Sequence, residues 1–74
     1  MMRRGVEMRY DSQQDRWVVV LGNREYGLHC GEYFQLLVGK TNIACRLELD
    51  SEWYVIMQDV RLNLKIQETY RVII

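Results

Sequence analysis

Apolar and polar residues alternate along most of this chain, and residues 42–57 (NIACRLELDSEWYVIM) show the alternation most clearly. Side chains at every second position of a strand point to the same face, so this segment predicts two strands joined at residues 50–52. A three-residue connection places Leu49 opposite Trp53 and Leu47 opposite Val55. We therefore predict a β-hairpin with one apolar face. That face consists of Ile43, Cys45, Leu47, Leu49, Trp53, Val55 and Met57.

The same alternation recurs before this hairpin. A polar segment, residues 11–16 (DSQQDR), separates two apolar-alternating runs and places Tyr10 opposite Trp17. A two-residue connection at Gly22 then leads into a third strand. Further along, the polar loop 39–42 (GKTN) is predicted to connect two more strands, with Leu36 opposite Cys45.

Short strands at this spacing are typical of a meander, sandwich or small barrel. Because a small sheet avoids exposed edges best by curling, we expect an all-β fold: a small antiparallel meander that curls into an SH3-like barrel of about 5–7 strands. Residues 1–74 are expected to form a single domain, with residues 1–4 as a loose N-terminus. No internal repeat is evident in the sequence.

The composition narrows the class of protein. Hydrophobic residues make up 49% of the chain and charged residues 27%, which is the globular range. The formal net charge is zero, so the basic excess of a typical phosphate-binding protein is absent. The first residues lack the apolar stretch of a secretory signal, and no apolar run approaches the length that spans a bilayer. We expect a soluble cytoplasmic protein without membrane contact, with Cys30 and Cys45 as buried free thiols.

Residues 28–32 (LHCGE) form the one cluster that suggests chemistry, since they combine a thiol, an imidazole and a carboxylate. A cysteine nucleophile requires a base that reaches its sulfur. Adjacent strand residues point to opposite faces, so His29 is poorly placed to serve Cys30. A zinc site usually needs four ligands in close pairs, and the chain has neither a Cys-x-x-Cys nor a histidine pair. We therefore predict no enzyme activity, no metal and no cofactor.

Charged and aromatic residues occupy the outward face of the predicted hairpin. Its register sets Glu48 opposite Tyr54 and Arg46 opposite Ile56. Tyr33 falls on the outward face of a neighbouring strand, whereas Tyr26, Trp17 and Trp53 fit the core. Tyrosine and arginine side by side are typical of interface hot spots, although a solvated strand face is an equally ordinary explanation. The candidate binding residues are Tyr33, Arg46, Glu48, Tyr54 and Ile56.

Three motifs, at residues 28–32 (LHCGE), 45–48 (CRLE) and 53–54 (WY), resemble a family of small bacterial domains of unknown function. Members of that family are found mostly in Gram-positive bacteria and often beside mobile-element genes. The resemblance extends from Tyr10 to the C-terminus. It implies a compact β-barrel and a cytoplasmic location, and it supplies no catalytic residue.

The leading functional hypothesis is a non-enzymatic binding or adaptor module with a protein partner. The alternative is a nucleic-acid-binding barrel, in which exposed aromatic residues stack on bases. Its positive charge would come from Arg3, Arg4, Arg9 and Arg24. A third hypothesis is a structural protein that self-associates through its outward face.

Overall fold

Alternating apolar and polar residues form eight β-strands in the computed structural model, which describes residues 5–74. The predicted loose N-terminus, residues 1–4, lies outside the described residues. All neighbouring strands are antiparallel, and their order in the sheet is β3-β2-β1-β8-β4-β5-β6-β7. The strands are β1 (Val6–Asp11), β2 (Arg16–Leu21), β3 (Arg24–Gly27), β4 (Tyr33–Val38), β5 (Thr41–Leu49), β6 (Trp53–Met57), β7 (Val60–Asn63) and β8 (Tyr70–Ile73).

The apolar positions of these strands share one core on the inner face of the sheet. Its fully buried members come from both ends of the strand order, for example Trp17 in β2 and Val55 in β6. A flat sheet would hold these two strands apart, so the sheet must curl around its apolar face, and the radius of gyration is 11.7 Å. The predicted small, all-β, barrel-like fold is confirmed, but it has eight strands rather than 5–7, and β8 lies between β1 and β4, so the strand order is not that of a simple meander. No helix in the described part of the chain is long and apolar enough to cross a membrane.

Strand pairing confirms most of the predicted registers. Tyr10 pairs with Trp17, and Leu49 pairs with Trp53. The prediction for the β4–β5 connection was wrong by two residues, since Leu36 pairs with Ile43 rather than with Cys45. A two-residue turn replaces the expected four-residue loop, because glycine at position 39 adopts a φ of +62°. A shift of two residues preserves which side chains face inward.

Two expected core aromatic residues are less buried than predicted. Tyr26 pairs with Val19 as predicted, but it retains 46% of its accessible surface. It lies in β3, an edge strand, and so has a neighbouring strand on one side only. Trp53 packs against the core and is partly buried, whereas Trp17 is fully buried.

The strand order is symmetric about its centre. Strands β1–β3 and β5–β7 form two three-stranded units, and the fourth strands, β4 and β8, lie side by side between them. If β1–β4 are renumbered β5–β8 and β5–β8 are renumbered β1–β4, the strand order is unchanged when it is read from the other end of the sheet. The sheet therefore consists of two halves, β1–β4 (the first half) and β5–β8 (the second half), related by an approximate two-fold arrangement.

Equivalent residues of the two halves make equivalent hydrogen bonds. The N–H of Leu28 donates to the carbonyl of Trp17 over 2.8 Å, and the N–H of Leu64 donates to the carbonyl of Trp53 over 2.9 Å. Each residue of the second bond lies 36 positions after its counterpart in the first. The chain thus contains an internal structural repeat, contrary to the expectation from sequence. It escaped notice because residues 17–38 and 53–74 share only four identical positions.

Candidate functional site

The predicted binding residues form two adjacent cross-strand rows on the outer face of the sheet. Tyr33 of β4 pairs with Arg46 of β5, and Arg46 pairs in turn with Ile56 of β6. Glu48 and Tyr54 form the next row, as the sequence predicted. The structure therefore brings all five predicted residues together on one face, which we name the Tyr33 surface.

Arg61 of β7 extends this surface and was not predicted. It pairs with Ile56 in the first row, and its guanidinium carbon lies 3.8 Å from the centre of the Tyr54 ring. A cation above an aromatic face is favourable, and here it also covers the ring. This contact explains why Tyr54 is half-buried rather than exposed. The alternation in β7 indicates only that Arg61 points outward; it does not indicate the contact with Tyr54.

An acidic residue beside the hairpin turn holds Arg61 in place. Two guanidinium nitrogens of Arg61 donate to the carboxylate of Asp50, over 2.8 and 3.2 Å. The Arg61 guanidinium is the main cause that lowers the pKa of Asp50 to about 2, followed by the backbone N–H of Glu52. The bidentate geometry fixes the orientation of the guanidinium over Tyr54.

Arg46 lies at the middle of the first row, between Tyr33 and Ile56. The Tyr33 hydroxyl is the main cause that raises the pKa of the Arg46 guanidinium, followed by the Glu48 carboxylate. Glu48 also forms an ion pair with Arg46. The ion pair between Arg46 and Glu48 links the two rows.

Tyr33 is the most prominent apolar feature of this surface. Its side chain retains 75% of its accessible surface and stands between two shallow hollows. One hollow, of about 200 Å³, includes Arg46 and Ile56 in its lining, and the other, of about 260 Å³, includes Gln35 and Ile73.

A larger groove lies elsewhere, where the β5–β6 turn meets the segment that follows β7. Its volume is about 740 Å³, and Trp53 lies in its lining. Leu49, predicted to belong to the core, is 45% exposed at this groove, and Ile66 is exposed beside it. Most polar groups of the groove already have partners: Asp15 accepts the Tyr10 hydroxyl, and Asp50 binds Arg61.

Comparisons with known proteins identify the family of the chain. A family profile described as a domain of unknown function, DUF5348, matches residues 6–74. The chain belongs to the DUF5348 family. The domain is also similar to the crystal structure of a protein from Ruminococcus gnavus, a target of the Northeast Structural Genomics Consortium. The two share 31% sequence identity and a TM-score of 0.75, with 97% of this chain and 100% of that chain covered. No curated protein matches the DUF5348 domain.

The LHCGE segment of the DUF5348 domain forms the loop between β3 and β4, which is exposed except for the buried Leu28. Cys30 is exposed, so the expectation that it packs inward was wrong, whereas Cys45 is buried. Burial raises the pKa of the Cys45 thiol to about 11. Glu32 accepts the backbone N–H of His29 over 3.0 Å, and its carboxylate lies 3.7 Å from His29 Nδ1. The cluster thus stabilises the loop through Glu32.

The described part of the DUF5348 domain contains no group of side chains that could hold a metal ion. Across residues 5–74, no three side chains of histidine, cysteine, aspartate or glutamate lie close enough together to hold an ion. His29 and Glu32 of the LHCGE loop lie near each other, but no third ligand of these types joins them in that part of the chain.

Proposed function

We propose that this DUF5348 domain is a non-enzymatic protein-binding module that acts through the Tyr33 surface. One observation carries the proposal: Tyr33 keeps 75% of its surface exposed on a strand whose alternate residues are buried. An exposed aromatic ring beside an arginine is the composition that dominates the energetics of protein interfaces. Arg46 and Glu48 supply charged groups beside this ring for a polar rim.

The shape of the surface favours a protein partner over a small molecule. Sites for small molecules are usually clefts of about 300–1,000 Å³, and both hollows beside Tyr33 are smaller than this range. Hollows of that size suit single side chains of a partner. The groove beside Trp53 has a suitable volume, but two of its three carboxylates, Asp15 and Asp50, are already engaged within the domain.

Nucleic-acid binding has weaker support. Of the arginines that would supply the charge, Arg9 forms ion pairs with Glu7 and Glu25. An arginine between two carboxylates attracts phosphate less than a free one. Arg3 and Arg4 lie outside the described residues, so this alternative stays a prediction.

A cytoplasmic location belongs to the same proposal. Both cysteines are free, and an exposed thiol such as Cys30 persists most readily in a reducing compartment.

Site-specific photo-crosslinking tests the proposed surface. A photoreactive phenylalanine analogue in place of Tyr33 should form covalent adducts with a protein partner in cells, and the Arg46→Ala change should abolish those adducts. Tyr26 offers a matched control, because it is also an exposed tyrosine but lies on edge strand β3. Equal crosslinking from both positions, or none from Tyr33, would contradict the proposal.

A further inference from the structure

The outer face of the first half carries an aliphatic residue between two glutamates. Val20 of β2 pairs with Glu7 of β1 on one side and with Glu25 of β3 on the other. We name these three residues the glutamate face. Arg9, one row along, forms ion pairs with both glutamates.

The outer face of the second half has the same layout with the opposite charges. Ile56 of β6 pairs with Arg46 of β5 on one side and with Arg61 of β7 on the other. We name these three residues the arginine face. Glu48, one row along, forms an ion pair with Arg46. Each position of the arginine face is the two-fold counterpart of a position in the glutamate face.

The two faces therefore complement each other in the layout of their charged positions. Glu7, Arg9 and Glu25 sum to a formal charge of −1, and Arg46, Glu48 and Arg61 sum to +1. Arg71, which pairs with Glu7, and Asp50, which binds Arg61, lie at the edges of the two faces and bring each sum to zero, so the complementarity lies in the positions of the charges rather than in net charge. Both flanking residues are negative on one face and positive on the other. Opposite charges consequently meet in either orientation of docking, while two copies of the same face would bring like charges together.

The charged side chains of both faces are accessible. Those of the glutamate face, the neighbouring Arg9 and the arginine face each retain between 38 and 47% of their accessible surface, and Glu48 retains 27%. Val20 and Ile56 are half-buried between their charged neighbours and offer an apolar centre to a partner. A charged rim around an apolar centre is the usual anatomy of a protein interface.

We propose that the partner of the arginine face is a second copy of this chain, which docks through its glutamate face. This inference rests on the proposed function, because Arg46 and Ile56 belong to the Tyr33 surface. The contact joins two different faces, so every added copy leaves one face of each kind free. Contacts of this kind produce head-to-tail chains that lengthen with concentration, or closed rings where the rotation between copies brings the last copy back to the first.

Charge reversal with mixing tests the proposal. One variant carries Glu7→Arg, Arg9→Glu and Glu25→Arg, and the other carries Arg46→Glu, Glu48→Arg and Arg61→Glu. Each variant then presents two faces of the same kind, so each alone should associate at least tenfold more weakly than the native chain in sedimentation velocity. An equimolar mixture should restore association, because one variant supplies the arginine-type faces and the other the glutamate-type faces.

Salt and a control variant complete the experiment. Association of the native chain should weaken between ionic strengths of about 0.01 M and 1 M, where the Debye length falls from about 30 Å to about 3 Å. Arg24→Glu, which changes an exposed arginine outside both faces, should leave association unchanged. If a triple reversal fails a circular dichroism check of folding, the single changes Glu25→Arg and Arg61→Glu allow the same mixing test.

A native chain that stays monomeric at all concentrations would overturn the proposal. So would association that survives either reversal, or variants that fail to associate when mixed. Crosslinking of Tyr33 to a different protein while the native chain remains monomeric would overturn self-docking and leave the proposed function standing.

Discussion

The two tryptophans occupy equivalent positions in the two halves but have different surroundings. Trp17 is fully buried, and its ring meets Tyr10 and Tyr70 edge to face with centroids 5.7 and 5.6 Å away. Trp53 is partly buried and borders the large groove, and its cross-strand partner is Leu49, at the position equivalent to Tyr10. One strand arrangement therefore surrounds Trp17 with a sealed core and leaves Trp53 beside an open groove.

Truncation of each tryptophan should give the largest difference between the halves. We expect Trp17→Ala to lower the free energy of unfolding by about 3–5 kcal/mol, as large aromatic truncations in a core do. Trp53→Ala should cost clearly less, because part of its surface is already in contact with water. Urea unfolding followed by far-ultraviolet circular dichroism measures both changes without relying on tryptophan fluorescence.

Fluorescence quenching provides an independent check on the same contrast. Acrylamide should quench Trp53 in the Trp17→Phe variant more strongly than it quenches Trp17 in the Trp53→Phe variant. Equal losses of stability together with equal quenching would show that the two sites are not different in solution.

The second hairpin turn of each half provides a smaller contrast. The first half uses Gly22 at a φ of +64°, whereas the second half places Gln58 and Asp59 at φ values of +50° and +64°. Residues with a Cβ atom adopt such values at a cost, and Asn-Gly is the preferred pair in a turn with two positive φ angles. We expect Gln58→Asn with Asp59→Gly to stabilise the domain by about 1 kcal/mol in urea unfolding.

The reverse change supplies the control for this turn. Gly22→Ala should destabilise the first half through backbone strain alone, since an added Cβ would meet no atom within 4 Å. A stabilising effect of Gly22→Ala would contradict this account of the turns.

The smallest expected difference between the halves concerns two equivalent turn aspartates, Asp11 and Asp50, and their contributions to the stability of the fold in acid. Asp11 accepts the N–H of Gln13, and Asp50 accepts the N–H of Glu52 and also binds Arg61. These contacts lower the pKa of Asp11, and they lower that of Asp50 to about 2. An aspartate in the unfolded chain titrates with a pKa of about 3.9. The stabilisation that these two carboxylates give to the folded state is therefore complete above that pH and is lost as the pH falls towards 2.

Thermal unfolding between pH 5 and pH 2 measures this loss. Asp50→Asn should make the melting temperature less sensitive to acid in that range, and Asp11→Asn should do so to a smaller extent. An unchanged acid profile in Asp50→Asn would contradict a role for the Asp50–Arg61 pair in the folded state.

Period-two alternation was sufficient to predict which way most side chains point. A register shifted by one residue would have turned the apolar face of the hairpin towards solvent, so only one register was acceptable. That register places four residues outward: Arg46, Glu48, Tyr54 and Ile56. The alternation could not distinguish a two-residue from a four-residue connection after Val38, since both keep the same parity. The cross-strand alignment of Tyr33 with Arg46 depends on that register, so only the structure defines it.

Burial was harder to predict, because it depends on strands that are distant in sequence. Tyr26 follows the inward alternation yet stays exposed, since nothing in the local sequence marks β3 as an edge strand. Arg61 was missed for a related reason: its contacts with Tyr54 and Asp50 require β6 and β7 to be paired first. The internal repeat is encoded in strand pairing rather than in residue identity.

The positions of β4 and β8 have a further consequence. Each is the last strand of its own half, yet it pairs with the first strand of the other half: β4 with β5, and β8 with β1. Two separate chains of half this length would produce the same arrangement if each lent its terminal strand to the other, as domain-swapped dimers do. In evolutionary terms, the fold is what a gene duplication and fusion of such a strand-swapped dimer would leave behind.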